Sequence, residues 1–256
     1  DLADIFDLQD RVTASVVGVI APRLEQAEIE RARRKPTGSL DAYDTYLRGM
    51  AAFHRYAATS NAEALALFTR AIQLDPEFAA AYGMAARCHM QRRGFGWSED
   101  GGLAAAETVR LARRAAELGR GDAAALANAG MALVVVAREL EEGTALLETA
   151  VALNQNLAWL WHFLAFAKAA LGEPESAIEH AERSMRLSPR QDPQMFAMHA
   201  ATALGYFFLG RYDEASSWAE SALRLQSRFF LALGVAAASA GLAGREAQAA
   251  RAMARL

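Results

Sequence analysis

The chain has little of the chemistry that stabilises secreted proteins or drives most catalysis. Among its 256 residues there is one cysteine, Cys88, so no disulfide can form within the chain. A lone thiol suits a reducing compartment, which favours a cytoplasmic location. The net charge is only −3, which gives no electrostatic reason to expect binding to nucleic acid or to an anionic membrane surface.

Sequence motifs for catalysis and phosphate binding are also missing. The chain contains no G-x-x-x-x-G-K-[ST], G-x-S-x-G or H-E-x-x-H pattern. Cys88-His89-Met90 comes nearest to a soft metal site, but neighbouring residues on a helix point about 100° apart and cannot hold one ion by themselves. The sequence therefore predicts no enzyme, no catalytic residue, no cofactor and no metal site.

No apolar run is long enough to cross a membrane. Residues 229–244 are uncharged, but the run is shorter than the ~20 residues that a bilayer needs, and alanine, glycine and serine dilute it. We interpret this run as an ordinary helix of the repeated pattern described next, and we expect no membrane association.

The chain does contain a repeated pair of short helices. In residues 158–189 apolar side chains recur three and four positions apart in two segments, which is helical spacing. Gly172 between them suits the left-handed conformation that ends a helix, and Pro174 suits the first turn of the next one. Pro189 then stops the second helix. Such a pair cannot bury its apolar faces alone, so we expect further copies.

Small residues in register mark those copies. Where each first helix would cross its partner stand Gly49, Ala86, Gly130, Ala165, Ala203 and Ala237. Early in the second helices stand Ala64, Thr108, Gly143, Ala177, Ala215 and Ala249. In the first repeat, Ser60 or Asn61 is expected to cap the second helix. Six phased pairs predict an all-α chain in which each pair stacks on the next.

The unit resembles the tetratricopeptide repeat, a helix–turn–helix of about 34 residues. The resemblance covers residues 39–256, as about five repeats and a truncated sixth, and implies a right-handed superhelix (a solenoid) that binds other polypeptides. Another solenoid of helix pairs is the alternative and would change little about function.

Residues 1–38 precede the repeats and predict an N-terminal helix with one apolar stripe. The helix either caps the first repeat or links the array to an upstream domain, and in the second case a homodimer through it is a possible assembly. We expect the chain to be part of a longer protein. The stripe consists of Ile5, Leu8, Val12, Val16, Ile20 and Leu24.

The opening residues carry a more specific resemblance. Ile5-Phe6-Asp7-Leu8-Gln9-Asp10, Tyr46-Leu47-Arg48-Gly49 and residues 111–133 are similar to bacterial class III adenylate cyclase-type proteins, in which a TolB-like domain precedes the repeats. This resemblance implies the regulatory or scaffolding repeat region of a signalling protein. Related proteins carry a winged-helix DNA-binding domain instead, so the alternative is an effector or oligomerisation domain of a transcriptional regulator.

An insertion at residues 92–102 distinguishes the second repeat. Phe95 and Trp97 lie in it among four glycines. Insertions in solenoids fall on one edge, often the binding edge, so this segment either binds a partner or fills the gap that its own longer turn creates.

The first helices are expected to line a concave groove that is mostly apolar. Arg87 is its one cation, so the groove is predicted to accept an apolar helix, an extended peptide or a second protomer rather than a peptide carboxylate. Any one of these side chains could instead lie in the core between repeats. The predicted groove residues are Tyr43, Tyr46, Met50, Phe53, Arg87, Met90, Met131, Trp159, His162, Phe166, Leu204 and Phe207.

Overall fold

A computed structural model describes residues 41–97, 101–188 and 192–256 of the chain, and these residues form twelve α-helices and no β-strand. The helices are α1 (Ala42–Phe53), α2 (Ala58–Leu74), α3 (Ala79–Gly94), α4 (Gly101–Leu118), α5 (Ala123–Ala132), α6 (Leu140–Leu153), α7 (Ala158–Ala170), α8 (Pro174–Leu187), α9 (Met195–Phe208), α10 (Tyr212–Leu225), α11 (Phe230–Leu242) and α12 (Glu246–Met253).

The helices pack as six consecutive pairs, α1 with α2 through α11 with α12, and each pair packs on the next. We call the odd-numbered members first helices and the even-numbered members second helices. The all-α superhelical fold predicted from the repeats is confirmed. The N-terminal helix predicted in residues 1–38 lies outside the described residues, as does Pro189.

The aligned small residues lie where the two helices of a pair touch. A Cβ atom on Gly49 would come within 2.6 Å of the Phe68 ring. In the third pair a Cβ on Gly130 would lie 2.6 Å from the carbonyl oxygen of Gly143, and a Cβ on Gly143 would lie 2.6 Å from that of Gly130. The backbones of α5 and α6 are therefore in contact at this crossing, which explains why the repeat needs its smallest residues there.

The turns within the later pairs follow the sequence signals closely. Gly172, Gly210 and Gly244 take φ values of +83°, +74° and +73°, in the left-handed region that favours glycine. Pro174 occupies the first turn of α8, where its missing N–H leaves no intrahelical bond unmade. The residues expected to separate the helices of the fourth pair thus do so.

Of the two residues expected to cap α2, Ser60 does so, from within the first turn, and Asn61 does not. The helix starts at Ala58, and the Ser60 hydroxyl accepts from the Ala57 N–H at 3.3 Å. Asn61 is completely buried against α3, where its Nδ2 donates to the Cys88 carbonyl at 3.0 Å. Asparagine is a common capping residue, but Asn61 instead donates to a buried carbonyl in the next pair.

The third pair departs from regular helix geometry. Residues 133–137 continue α5 as a π-helical turn, and Arg138 follows with φ +63°. The N–H of Glu139 donates to the Leu133 carbonyl at 3.1 Å and closes this turn.

The uncharged run near the C-terminus forms α11, the first helix of the sixth pair, as expected. Of the helices in the described ranges, none combines the length and the apolar character that a membrane crossing requires.

Candidate functional site

The first helices line a cavity of about 390 Å³, which we call the central cavity. All six first helices contribute to its wall, so it lies on the inner side of the superhelix, where the groove was predicted. The contributions, one for each first helix, are Phe53, Met90, Met131, Phe166, Ala197 and Leu231. Of the twelve predicted groove residues, six line it: Phe53, Arg87, Met90, Met131, His162 and Phe166.

The segment that follows α3 forms part of the cavity wall and reaches across the array. Phe95 is buried, and its ring centroid lies 6.1 Å from that of Tyr56, 5.9 Å from Phe196 and 5.5 Å from Phe229. The Trp97 ring stacks on Phe95, with 4.9 Å between the two ring centroids. These aromatic partners belong to the first, fifth and sixth pairs, so the superhelix folds back on itself.

This contact shows what the described part of the insertion packs against. Within the part of it that the structure describes, Phe95 and Trp97 fill a gap, and this gap lies between distant repeats rather than in their own turn. Gly96 makes the approach possible, because a Cβ there would lie 2.4 Å from the Phe230 ring. Residues 98–100 lie outside the described ranges.

Arg87 occupies the middle of the inner surface. Only 8% of it is exposed, and its guanidinium lies 4.9 Å from the ring centroid of Trp159 and 5.0 Å from that of Phe163. A third ring, Phe53, lies 5.2 Å away. The guanidinium also donates to the Gln194 side-chain oxygen, a contact that spans 107 residues of sequence. One cation thus joins four helix pairs through cation–π contacts and a hydrogen bond.

The cavity wall carries positive charge and neutral polar groups. Arg93 and Arg138 line it together with Arg87, and no carboxylate is found among its described lining residues. Burial lowers the pKa of His162 to about 3, and the charge of Arg87 acts in the same direction. The same two causes lower the pKa of His54 to about 4. These histidines are therefore neutral at physiological pH, and the arginines set the charge of the inner surface.

Two buried polar atoms of the wall have no hydrogen-bond partner among the described residues. They are Nδ1 of His162, a residue that is 4% exposed, and Nε2 of Gln91, which is 8% exposed. The oxygen of the Gln91 amide accepts from Asn61 at 2.7 Å, which fixes the orientation of the amide and leaves its N–H₂ unused. Such unpaired groups are uncommon in native interiors and call for an explanation.

The other six predicted groove residues do not line the central cavity. Tyr46 packs between repeats, 5.5 Å from the Phe68 ring and 5.1 Å from Phe78, and Met50 is buried in the same core. Tyr43 stacks on Tyr46 and stays 47% exposed. The remaining three are partly buried: Trp159 lies against Arg87, while Leu204 and Phe207 pack on the core of the last two pairs. A shift of one position turns a helical side chain by about 100°, enough to move it from groove to core.

Several lining residues were missed. Phe163 follows a predicted residue directly, whereas Phe196, Phe229 and Gln194 lie at the beginnings of first helices, where no apolar periodicity applies. Val135 and Arg138 reach the cavity through the π-helical turn. The only available signal was the recurrence of aromatic residues beside helix starts.

Cys88 lies apart from the cavity wall. It is completely buried, and burial raises the pKa of its thiol to about 12. Within the described ranges, no three histidine, cysteine or acidic side chains come together in a way that could hold a metal ion.

Comparison with known proteins identifies the fold but not the family. No family model matches the sequence. A stretch of 81 residues is 35% identical to the protein named Putative adenylate cyclase 3 of Rhizobium meliloti (strain 1021), and the match covers 32% of this chain and 14% of that protein.

Among solved structures, human IFIT1 in a dimer with m7Gppp-AAAA superposes with a TM-score of 0.68 at 17% identity, over 85% of this chain and 50% of that one. A chain of the APC/C hetero-tetramer Cut9-Hcn1 superposes with a TM-score of 0.63 at 16% identity, over 99% and 44%. PilW, a type IV pilus biogenesis factor, superposes with a TM-score of 0.57 at 16% identity, over 84% and 91%. This chain therefore spans about half of IFIT1 and a seventh of the cyclase, and it has the superhelical fold of tetratricopeptide proteins.

Proposed function

We propose that this chain is a non-enzymatic interaction module, the tetratricopeptide region of a longer bacterial signalling protein of the class III adenylate cyclase type. The match to a cyclase over 81 residues supports this context, and favours it over the winged-helix regulator that the sequence also allows. The match covers a small share of the cyclase, which is what a shared repeat region would give.

The composition of the inner surface supports a binding role over a catalytic one. Its described lining is aromatic, aliphatic, amide and arginine, with no serine, cysteine or carboxylate that a histidine could activate. The candidates for a general base are His162, which lines the cavity, and His54. Burial and the charge of Arg87 lower the pKa of both histidines, so both are neutral at physiological pH.

The observation that carries the proposal is that apolar side chains on the first helices remain accessible outside the central cavity. Tyr43 on α1 is 47% exposed and Phe208 on α9 is 52% exposed. Aromatic residues supply large contact areas at low entropic cost, and they dominate the energetics of protein interfaces. The partner is accordingly a polypeptide that presents apolar side chains, either another protein or a second copy of this chain.

Site-specific photo-crosslinking tests the proposal. We would place p-benzoylphenylalanine at Tyr43 or Phe208 in the full-length protein, with Leu225 on the second helix α10 as a control that is equally exposed at 54%. Covalent adducts are expected at the two first-helix positions and absent at Leu225. The crosslinked segment is then synthesised, and its affinity for the purified chain is measured by calorimetry.

A Phe208→Ala variant is expected to weaken this peptide about tenfold or more, because interface aromatics often contribute more than 1 kcal/mol. Leu225→Ala is expected to bind the peptide as the wild type does. Equal crosslinking at all three positions, or unchanged affinity of a folded Phe208→Ala variant, would contradict the proposal.

A further inference from the structure

The central cavity has the dimensions of a small-molecule site. Its volume of about 390 Å³ lies within the range of roughly 300–1,000 Å³ found for ligand pockets. The cavity is therefore large enough for one organic molecule.

The wall gives that molecule an apolar body. Eight aromatic residues contribute to it, together with two methionines, valine and leucine. The aromatic residues come from five of the six helix pairs and from the segments that connect them. They are Phe53, Tyr56, Phe95, Phe163, Phe166, Phe196, Phe229 and Phe230.

The charge of the wall selects for an anion. Arg93 and Arg138 border the cavity with exposed side chains, and the lining that the structure describes includes no acidic side chain. Arg138 is held at the cavity by an unusual backbone, because the residue has φ +63° directly after the π-helical turn. Turns of this kind are frequent at functional sites, and a left-handed arginine persists only where the surrounding structure imposes it.

Two polar atoms complete the recognition site. Nδ1 of His162 and Nε2 of Gln91 are buried, belong to residues of the wall, and lack partners in the described structure. The amide nitrogen can only donate, and a neutral imidazole nitrogen can donate when it carries the proton. A carboxylate offers acceptor oxygens to both, which would satisfy groups that the protein itself leaves unpaired.

We propose that the central cavity binds a small amphipathic carboxylate, with its apolar body among the aromatic side chains and its carboxylate toward Arg93, Arg138, Gln91 and His162. Phe95, Phe196 and Phe229 belong to the cavity wall, so the bound ligand contacts the second, fifth and sixth helix pairs at the same time. The interaction module would thus carry a built-in receptor for a small molecule. This inference stands independently of the polypeptide partner.

A matched pair of fluorescent probes tests it on the purified chain. 8-Anilino-1-naphthalenesulfonate and N-phenyl-1-naphthylamine share one ring system, and only the first is an anion. The anionic probe is expected to bind with a stoichiometry of one and at least tenfold more tightly. Decanoate is expected to displace it, whereas decanol at equal concentration is not.

Two substitutions with matched controls locate the binding. Ala197→Leu fills the cavity and is expected to weaken the anionic probe at least tenfold, while Ala247→Leu on the exposed face of α12 leaves binding unchanged. Arg138→Gln keeps a side chain in the strained position, and is expected to reduce the preference for the anionic probe about fivefold. Arg120→Gln, an exposed arginine outside the cavity wall, keeps that preference.

Equal affinity of the two probes for the wild-type chain would overturn the inference without any variant. Binding of several probe molecules, or binding that Ala197→Leu does not weaken in a chain that circular dichroism shows to be folded, would also overturn it. Phe208→Ala is expected to bind the anionic probe as the wild type does, so this inference and the polypeptide-docking proposal fail separately.

Discussion

Substituting Gly96 by alanine tests whether the array is closed across its interior. Gly96 has φ +67°, and a Cβ there would lie 2.4 Å from Cζ of Phe230 in the sixth pair. Carbon atoms in contact normally lie about 3.5–4.0 Å apart, so the ring has to move by about 1 Å or more. We expect this one methyl group to disturb a contact between the second and sixth helix pairs.

The matched control is Gly172→Ala. Gly172 is also left-handed, with φ +83°, but a Cβ there meets no atom within 4 Å. Both substitutions place alanine in the left-handed region, which costs about 1–2 kcal/mol. Only Gly96→Ala adds an overpacking term of about 1–3 kcal/mol. The difference between the two variants therefore isolates the contact across the array.

Thermal unfolding and tryptophan fluorescence measure the effect. For a chain of this size 1 kcal/mol shifts Tm by about 2–4 °C, so Gly96→Ala is expected to melt roughly 2–12 °C below Gly172→Ala. The emission of Trp97, which stacks on Phe95, is expected to shift to longer wavelength only in Gly96→Ala. In a Phe230→Ala background the clash is absent, so Gly96→Ala should lower Tm by no more than Gly172→Ala does. Identical melting of the two glycine variants would refute the closed array.

Two further predictions concern the core. Gly143→Ala is expected to lower stability by about 1–3 kcal/mol, because its Cβ would lie 2.6 Å from the Gly130 carbonyl oxygen and neither backbone can yield. Gly234 is a helical site at which a Cβ would meet no atom within 4 Å, so Gly234→Ala should increase stability by about 0.5–1 kcal/mol. Similar Tm values for the two variants would contradict this packing. The pKa of His162 is about 3 in the folded chain and lies below the ordinary 6.5. The contribution of neutral His162 to the free energy of unfolding is therefore fully present above pH 6.5 and is lost as pH falls toward 3. Between pH 6.5 and pH 5 the free energy of unfolding falls by about 2 kcal/mol through this group, and His162→Gln should remove that loss, which corresponds to about 4–8 °C in Tm. An unchanged pH dependence of Tm in that variant would count against a buried neutral His162.

Features that depend on neighbouring residues could be predicted from the sequence. The turn at Gly172 and Pro174 follows from backbone preferences of those two residues alone. The crossing at Gly130 and Gly143 follows from two helices adjacent in sequence, in which small residues in register have no other purpose. Six copies of the same pattern reinforce each other, so errors in any one copy did not affect the fold.

The central cavity could be predicted only in part, because it depends on the whole superhelix. Phe95 meets Phe229, and Arg87 meets Gln194, through small rotations between pairs that accumulate along the array. No local pattern encodes the sum of those rotations. The π-helical turn before Arg138 was equally hidden, since its residues are apolar and fit a regular helix.

The hydrogen bond from Arg87 to Gln194 has a consequence for how such a chain can evolve. An open solenoid tolerates duplication or deletion of a unit, because each unit contacts only its neighbours. Here a side chain of the second pair bonds one of the fifth, and a unit gained or lost between them would bring a different residue opposite the guanidinium. The copy number between these two points is therefore constrained by geometry, while units could still be added beyond either end.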